Sequence, residues 1–199
     1  QLKDILSIDS SIHWLEQVGF FSISDGTAAV GVDAWVDNPW DQLSRKPKDW
    51  IYIEDFVGLS SDERLALSKQ LASQAATRLK ERMTAAAQNN KVVFVVSHIP
   101  PLFPGNTSPQ MSDCDHIAVW FGSTACGAAI ISVAADHPST HFIVLSGHLH
   151  ARIRQHITEN IEVRIAAATY YEPQLEEVLI VNSSGEIPSV EYPTPVRNG

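Results

Sequence analysis

Two short stretches, residues 92–96 and 142–145, constrain this chain more than any other feature. Val92-Val93-Phe94-Val95-Val96 and Phe142-Ile143-Val144-Leu145 contain no polar alternation. A strand wetted on one face alternates apolar and polar residues, whereas an unbroken Val, Ile and Phe run suits a strand covered on both faces, as in a parallel α/β sheet. Between the two runs, residues 115–135 are rich in small residues at helical spacing and stop at His137-Pro138. The pattern predicts a strand–helix–strand unit with parallel strands. In such sheets ligands collect beyond the carboxyl ends of the strands.

The flanking segments extend this reading. Leu2, Ile5, Leu6, Ile12, Leu15 and Val18 form an apolar stripe at helical spacing. Residues 20–23 predict a strand, Asp25-Gly26 a type I′ hairpin turn, and residues 28–36 the returning strand. Residues 37–48, rich in Pro, Asn, Asp, Lys and Trp, predict a loop. Ser60 with Glu63 three positions on spells a capping box, and helical periodicity then runs to about residue 88, where Asn89-Asn90 ends it. Residues 99–114 hold four prolines and a glycine and predict an irregular loop. Residues 152–157, 161–168 and 175–181 predict antiparallel strands, turning at Thr158-Glu159-Asn160 and Ser183-Ser184-Gly185. There is no internal repeat and no low-complexity tract.

Composition sets the outer limits. With 199 residues, 44% hydrophobic and 19% charged, the chain suits one globular core rather than a disordered or fibrous class. No apolar run approaches a membrane span. Fourteen basic against twenty-three acidic side chains give a net charge of −9, which argues against nucleic-acid duplex binding. A phosphate-ester substrate stays compatible, because a bound cation reverses the local sign. Cys114 and Cys126 lack Cys-x-x-Cys spacing and cannot build a disulfide scaffold. Oligomeric state is not legible. The chain begins Gln1-Leu2-Lys3, without an initiator methionine, which leaves the compartment open between the cytoplasm and a route directed by a leader upstream.

Chemistry concentrates where the two buried strands end. The first is followed by Ser97-His98-Ile99-Pro100-Pro101, the second by Gly147-His148-Leu149-His150. Fifty positions separate His98 from His148, yet parallel pairing would make them neighbours. In a regular strand His148 and His150 would share one face with Cα atoms roughly 6.6 Å apart, able to serve one ion or two. Gly147 would let the backbone approach a ligand, and Pro100-Pro101 would hold the exit from His98 extended. Neutral imidazole suits zinc, iron and related metals. No acidic residue adjoins either motif, so three histidines alone do not complete a two-metal site.

These motifs resemble the C-terminal half of the calcineurin-like metallophosphoesterases, in which an apolar strand ends in Gly/Ser-His-x-Pro and a later one in Gly-His-x-His. Val30-Gly31-Val32-Asp33-Ala34-Trp35 is similar to the strand following that family's Gly-Asn-His-Asp/Glu motif, so the resemblance covers roughly residues 20–181. It implies an α/β fold of the four-layer α/β/β/α sandwich type, with His98 and His148 binding one metal and His150 the other. It also implies two divalent or trivalent ions (manganese, iron or zinc) and hydrolysis of phosphate mono- or diesters by a metal-bridged hydroxide. The family's Asp-x-His, Gly-Asp and Gly-Asn-His motifs have no match in this chain. The resemblance therefore reads residues 1–199 as one C-terminal portion of such a domain, the acid/base histidine lying in a missing N-terminal portion and the chain alone being poorly active. Two other functions stay open: a degenerate, non-catalytic module binding a partner or one structural ion, and a mononuclear zinc hydrolase using the three histidines.

Secondary candidates are weaker. His116, with Asp113 and Asp115, sits in or beside the long loop and could touch substrate, although Asp115 also reads as a helix cap. Tyr170-Tyr171-Glu172-Pro173 could rim the pocket, although a surface hairpin is the default. Ser97 lacks a nucleophile elbow. His13, His137, His141 and His156 have no sequence partners, and the five tryptophans read as core and loop anchors.

Overall fold

A computed structural model describes residues 13–37, 52–103, 122–172, 174–181 and 189–191. The chain is mixed α/β. Its six-stranded sheet contains β1 (Phe20–Ser24), β2 (Thr27–Gly31), β3 (Val92–Val96), β4 (His141–Ser146), β5 (Ile153–Thr158) and β6 (Ile161–Ile165). Their order is β1-β2-β3-β4-β6-β5. Strands β2, β3, β4 and β6 run parallel, and β1 and β5 close the two edges antiparallel. Three α-helices are described, α1 (Leu15–Val18), α2 (Ser61–Ala87) and α3 (Thr124–Asp136), with a short 3-10 helix at Glu54–Phe56. Strands β7 (Glu177–Leu179) and β8 (Ser189–Glu191) form a second, antiparallel sheet.

Burial explains the unbroken apolar runs. On one face Val93, Val95, Phe142, Val144, Val163 and Ile165 pack against Leu79 and Met83 of α2 and Ile130 and Val133 of α3. On the other, Ala29, Val92, Phe94 and Ile143 meet Leu15, Leu145, Leu179 and Val181. Alternate residues of β3 thus point into different apolar layers, and neither parity can be polar. Each fully buried Val, Ile or Phe contributes about 1.5–3 kcal/mol. Helix, large sheet and small sheet give three of the four layers that the resemblance implies.

Local signals mostly translate directly. Ser60 and Glu63 form the reciprocal capping box at the start of α2: the Glu63 N–H donates to Ser60 Oγ (3.4 Å), and the Ser60 N–H donates to Glu63 Oε2 (2.8 Å). The β1–β2 hairpin turns at Asp25-Gly26, but only Gly26 has positive φ (77°). Type I′ needs both central residues there, so the turn is of another type, and an irregular register between Ser22 and Ser24 accompanies it. Strand β2 ends at Gly31; the Val32 N–H still donates to the Val96 carbonyl of β3 at 3.2 Å, and Val32, Ala34 and Val36 remain buried beyond the strand. Helix α3 begins at Thr124, nine positions later than the periodicity predicts, and residues 115–121 lie outside the described set, as does the helical stripe before His13.

Edge strand β5 alternates by side. Ile153 and Ile157 pack on the core, while Arg154 lies directly opposite Arg164 of β6. Two opposed guanidiniums would repel, and Glu162 lies between them, accepting from Arg154 Nε at 2.7 Å and Arg164 Nε at 2.9 Å. Arg164, only 7% exposed, also donates to Glu177 Oε1 at 2.9 Å, tying the large sheet to β7. Burial raises the Glu162 pKa, but hydrogen bonds and charge from Arg164 and Arg154 outweigh it and hold the carboxyl below its ordinary value.

Candidate functional site

The parallel register places the two histidine motifs side by side. Val96 pairs with Leu145, and the pairing continues past both strand ends. The Ser97 N–H donates to the Leu145 carbonyl at 3.1 Å, and the Gly147 N–H donates to the His98 carbonyl at 3.2 Å. His98 and His148 then meet: Nε2 of His98 lies 3.2 Å from Nδ1 of His148, with ring centroids 5.1 Å apart at 82°. One nitrogen of the pair must carry the proton when they hydrogen-bond to each other.

The loop leaving His98 is fixed from several sides. Ser97 Oγ donates to the Ile99 carbonyl at 2.9 Å, which occupies the hydroxyl as a structural group rather than a nucleophile. The Pro100 carbonyl accepts from the Ser123 N–H at 3.0 Å. Pro101 lies so close to α3 that a Cβ at Gly127 would collide with its carbonyl oxygen. Asp37, following β2, reaches across to the first turn of α3. Its carboxylate accepts from the Thr124 N–H at 2.9 Å and the Ala125 N–H at 2.7 Å, where the N-cap Ser123 side chain makes no cap bond. An anion there satisfies two otherwise unpaired donors and suits the positive end of the helix. No local sequence signal marks Asp37, because its first partner lies 87 positions away.

The Gly-His-x-His segment departs from the expected strand geometry. Strand β4 ends at Ser146, and His148 and His150 have φ values of +68° and +56°. Leu149 N–H donates to the Gly147 carbonyl at 2.8 Å, closing a three-residue turn around His148. An i to i+2 bond about a residue of positive φ is the rarer and more strained hand of γ-turn. The same-face, i and i+2 argument therefore does not apply to this pair. Gly147 is not left-handed, and a Cβ there would meet His98 Nδ1 at an ordinary 3.8 Å.

Among the described residues this strain is confined to one neighbourhood. Among the described residues, three non-glycine residues have positive φ: His148, His150 and Tyr171. Such residues cost about 1–3 kcal/mol each and cluster where function demands the geometry. The His150 ring packs on Tyr170 at 4.4 Å between centroids. His98 and His148 thus come together, whereas His150 turns to the tyrosine. Among the described residues no set of three His, Cys, Asp or Glu side chains assembles in metal-holding geometry. His116, Asp113 and Asp115 lie outside the described residues. His13 stacks on Phe21 at 3.9 Å, and His156 lies opposite Glu162 on the sheet. Cys126 is buried, which pushes its thiol pKa up and makes it a poor nucleophile.

No protein-family model and no curated protein sequence matches the chain. Solved structures overlap it in part, among them the following two. A dimetal phosphatase from Danio rerio aligns over 74% of this chain and 48% of its own, at 15% identity and a TM-score of 0.43. GAP50, the anchor in the inner membrane complex of Plasmodium, aligns over 74% and 35%, at 14% identity and a TM-score of 0.37. The chain thus spans about half the length of the first and a third of the second. No helix among the described residues is long and apolar enough to cross a membrane.

Proposed function

We propose that the chain is the C-terminal portion of a calcineurin-like, metal-dependent phosphoesterase that hydrolyses phosphate mono- or diesters. The observation that carries this reading is the 3.2 Å separation of His98 Nε2 and His148 Nδ1 at the carboxyl edge of a parallel sheet. Two imidazole nitrogens bound to one tetrahedral ion at about 2.0–2.1 Å would lie about 3.3–3.4 Å apart. The pair therefore fits two corners of one metal site with little movement. His150, from the same segment, is the candidate ligand for a second ion. The remaining, anionic ligands and the leaving-group acid come from outside the described residues.

Manganese, iron or zinc bound there would supply Lewis-acid stabilisation and an activated water. The chain's own contribution is positional. Backbone pairing between Ser97 and Leu145 and between His98 and Gly147 fixes the two imidazoles relative to each other. The buried strands behind them exclude water from one side, and the net charge of −9 favours retention of cations.

The test combines metal content with turnover. The protein, with whatever sequence precedes Gln1 in its natural context, should bind about two ions and hydrolyse an aryl phosphate ester with manganese present. His148→Ala should abolish that hydrolysis. Undiminished activity in His148→Ala would refute the assignment, and zero or one ion per chain would favour a non-catalytic module.

A further inference from the structure

Beside His150 the chain makes a second strained turn. Glu172 N–H donates to the Thr169 carbonyl at 3.2 Å, and the two residues bridge antiparallel, which leaves Tyr170 and Tyr171 at the apex. Tyr171 has φ +66° at the second central position, where a type II turn strongly prefers glycine. Burial does not offset that strain: Tyr171 is 100% exposed and Tyr170 73%. The two rings lie 6.3 Å apart, and Tyr170 rests on the His150 imidazole. A large aromatic ring, held in a backbone conformation suited to glycine and presented to solvent one ring removed from a candidate metal ligand, is placed to meet something outside the chain.

We propose that the Tyr170–Tyr171 turn is an aromatic platform for the substrate, so that the preferred phosphate ester carries an aromatic or heteroaromatic ring on its organic group. The proposal rests on the phosphoesterase reading and adds the chemistry of the leaving group. Tyr170 anchors the turn to His150, and the exposed Tyr171 offers a π-face on which a ring can stack while its phosphate extends toward the ion that His150 would help to hold. An alkyl ester of equal charge gains nothing from that face.

Two non-hydrolysable probes separate the contributions: phenylphosphonate and methylphosphonate, titrated calorimetrically into the protein with manganese present. Wild type should bind phenylphosphonate about three- to tenfold more tightly, the range expected of one aromatic pair. Tyr171→Phe should keep the ratio. Tyr171→Gly should bring it close to one without lowering the thermal midpoint, since glycine accepts φ +66°. Tyr171→Leu keeps the backbone strain but removes the ring, and should also bring the ratio close to one. Equal binding of both probes by wild type, or a ratio unchanged in Tyr171→Gly and Tyr171→Leu, overturns the platform and leaves the phosphoesterase reading standing. Failure of both probes to bind wild type overturns both together.

Discussion

Replacing His148 by glycine and, separately, by alanine tests whether backbone strain is stored at the site. Both substitutions remove the imidazole and its edge contact with His98, so that loss cancels in the comparison. What differs is the cost of φ +68°. A left-handed conformation costs a residue with a Cβ about 1–2 kcal/mol, and glycine nothing. Glycine loses about 0.5–1 kcal/mol more backbone entropy on folding than alanine. The difference predicts His148→Gly to be about 0.5–1 kcal/mol more stable than His148→Ala, the reverse of the usual order. At this chain length 1 kcal/mol corresponds to about 2–4 °C, so the glycine variant should melt about 2 °C higher. Urea unfolding should show the same order with equal denaturant slopes, because the surface exposed on unfolding is unchanged. Zinc affinity should fall in both variants, separating the role in binding from the effect on stability. An alanine variant as stable as the glycine one would refute the left-handed geometry and the γ-turn with it.

Two further outcomes follow from groups around the site. Asp37→Ala removes both bonds to the first turn of α3 and should cost about 1–2 kcal/mol, read as a fall in the urea midpoint; Asp37→Asn, which keeps one acceptor oxygen, should cost less. Glu162 has a folded pKa below its unfolded one, so its stabilisation is complete above the ordinary carboxylate range and is lost as pH falls through the folded value. Acid titration of unfolding free energy should therefore steepen below about pH 4.5, and Glu162→Gln should flatten that limb while lowering stability at neutral pH.

Much of the scaffold is legible from sequence because its physics is local or periodic. Burial on both faces writes itself as Val92-Val93-Phe94-Val95-Val96, and the box at Ser60 and Glu63 needs only three positions to declare the start of α2. The adjacency of His98 and His148 follows from parallel pairing, which those apolar runs already imply. What escapes is fixed by long-range partners. The late start of α3 goes with a carboxylate contributed by Asp37, six residues beyond β2, and the Arg154–Glu162–Arg164 chain depends on cross-strand register rather than on any motif. Oxygen ligands for a metal are not legible in either way, because no acidic residue adjoins the histidines.

The least legible feature carries the most functional weight. Glycine is the ordinary signal for a left-handed backbone, and Gly147 therefore draws attention to its own position. Yet Gly147 is not left-handed and has room for a Cβ, while the next residue, His148, is left-handed. His150 and Tyr171 repeat the pattern. A fold selected only for stability would place glycine at these three positions and recover free energy at each. Two imidazoles and a phenol stand there instead, and the core gains nothing from His150 or Tyr171, which are exposed. The stacking of Tyr170 on His150 ties the aromatic turn to the Gly-His-x-His segment, so the three left-handed side chains fall on two consecutive pieces of one surface.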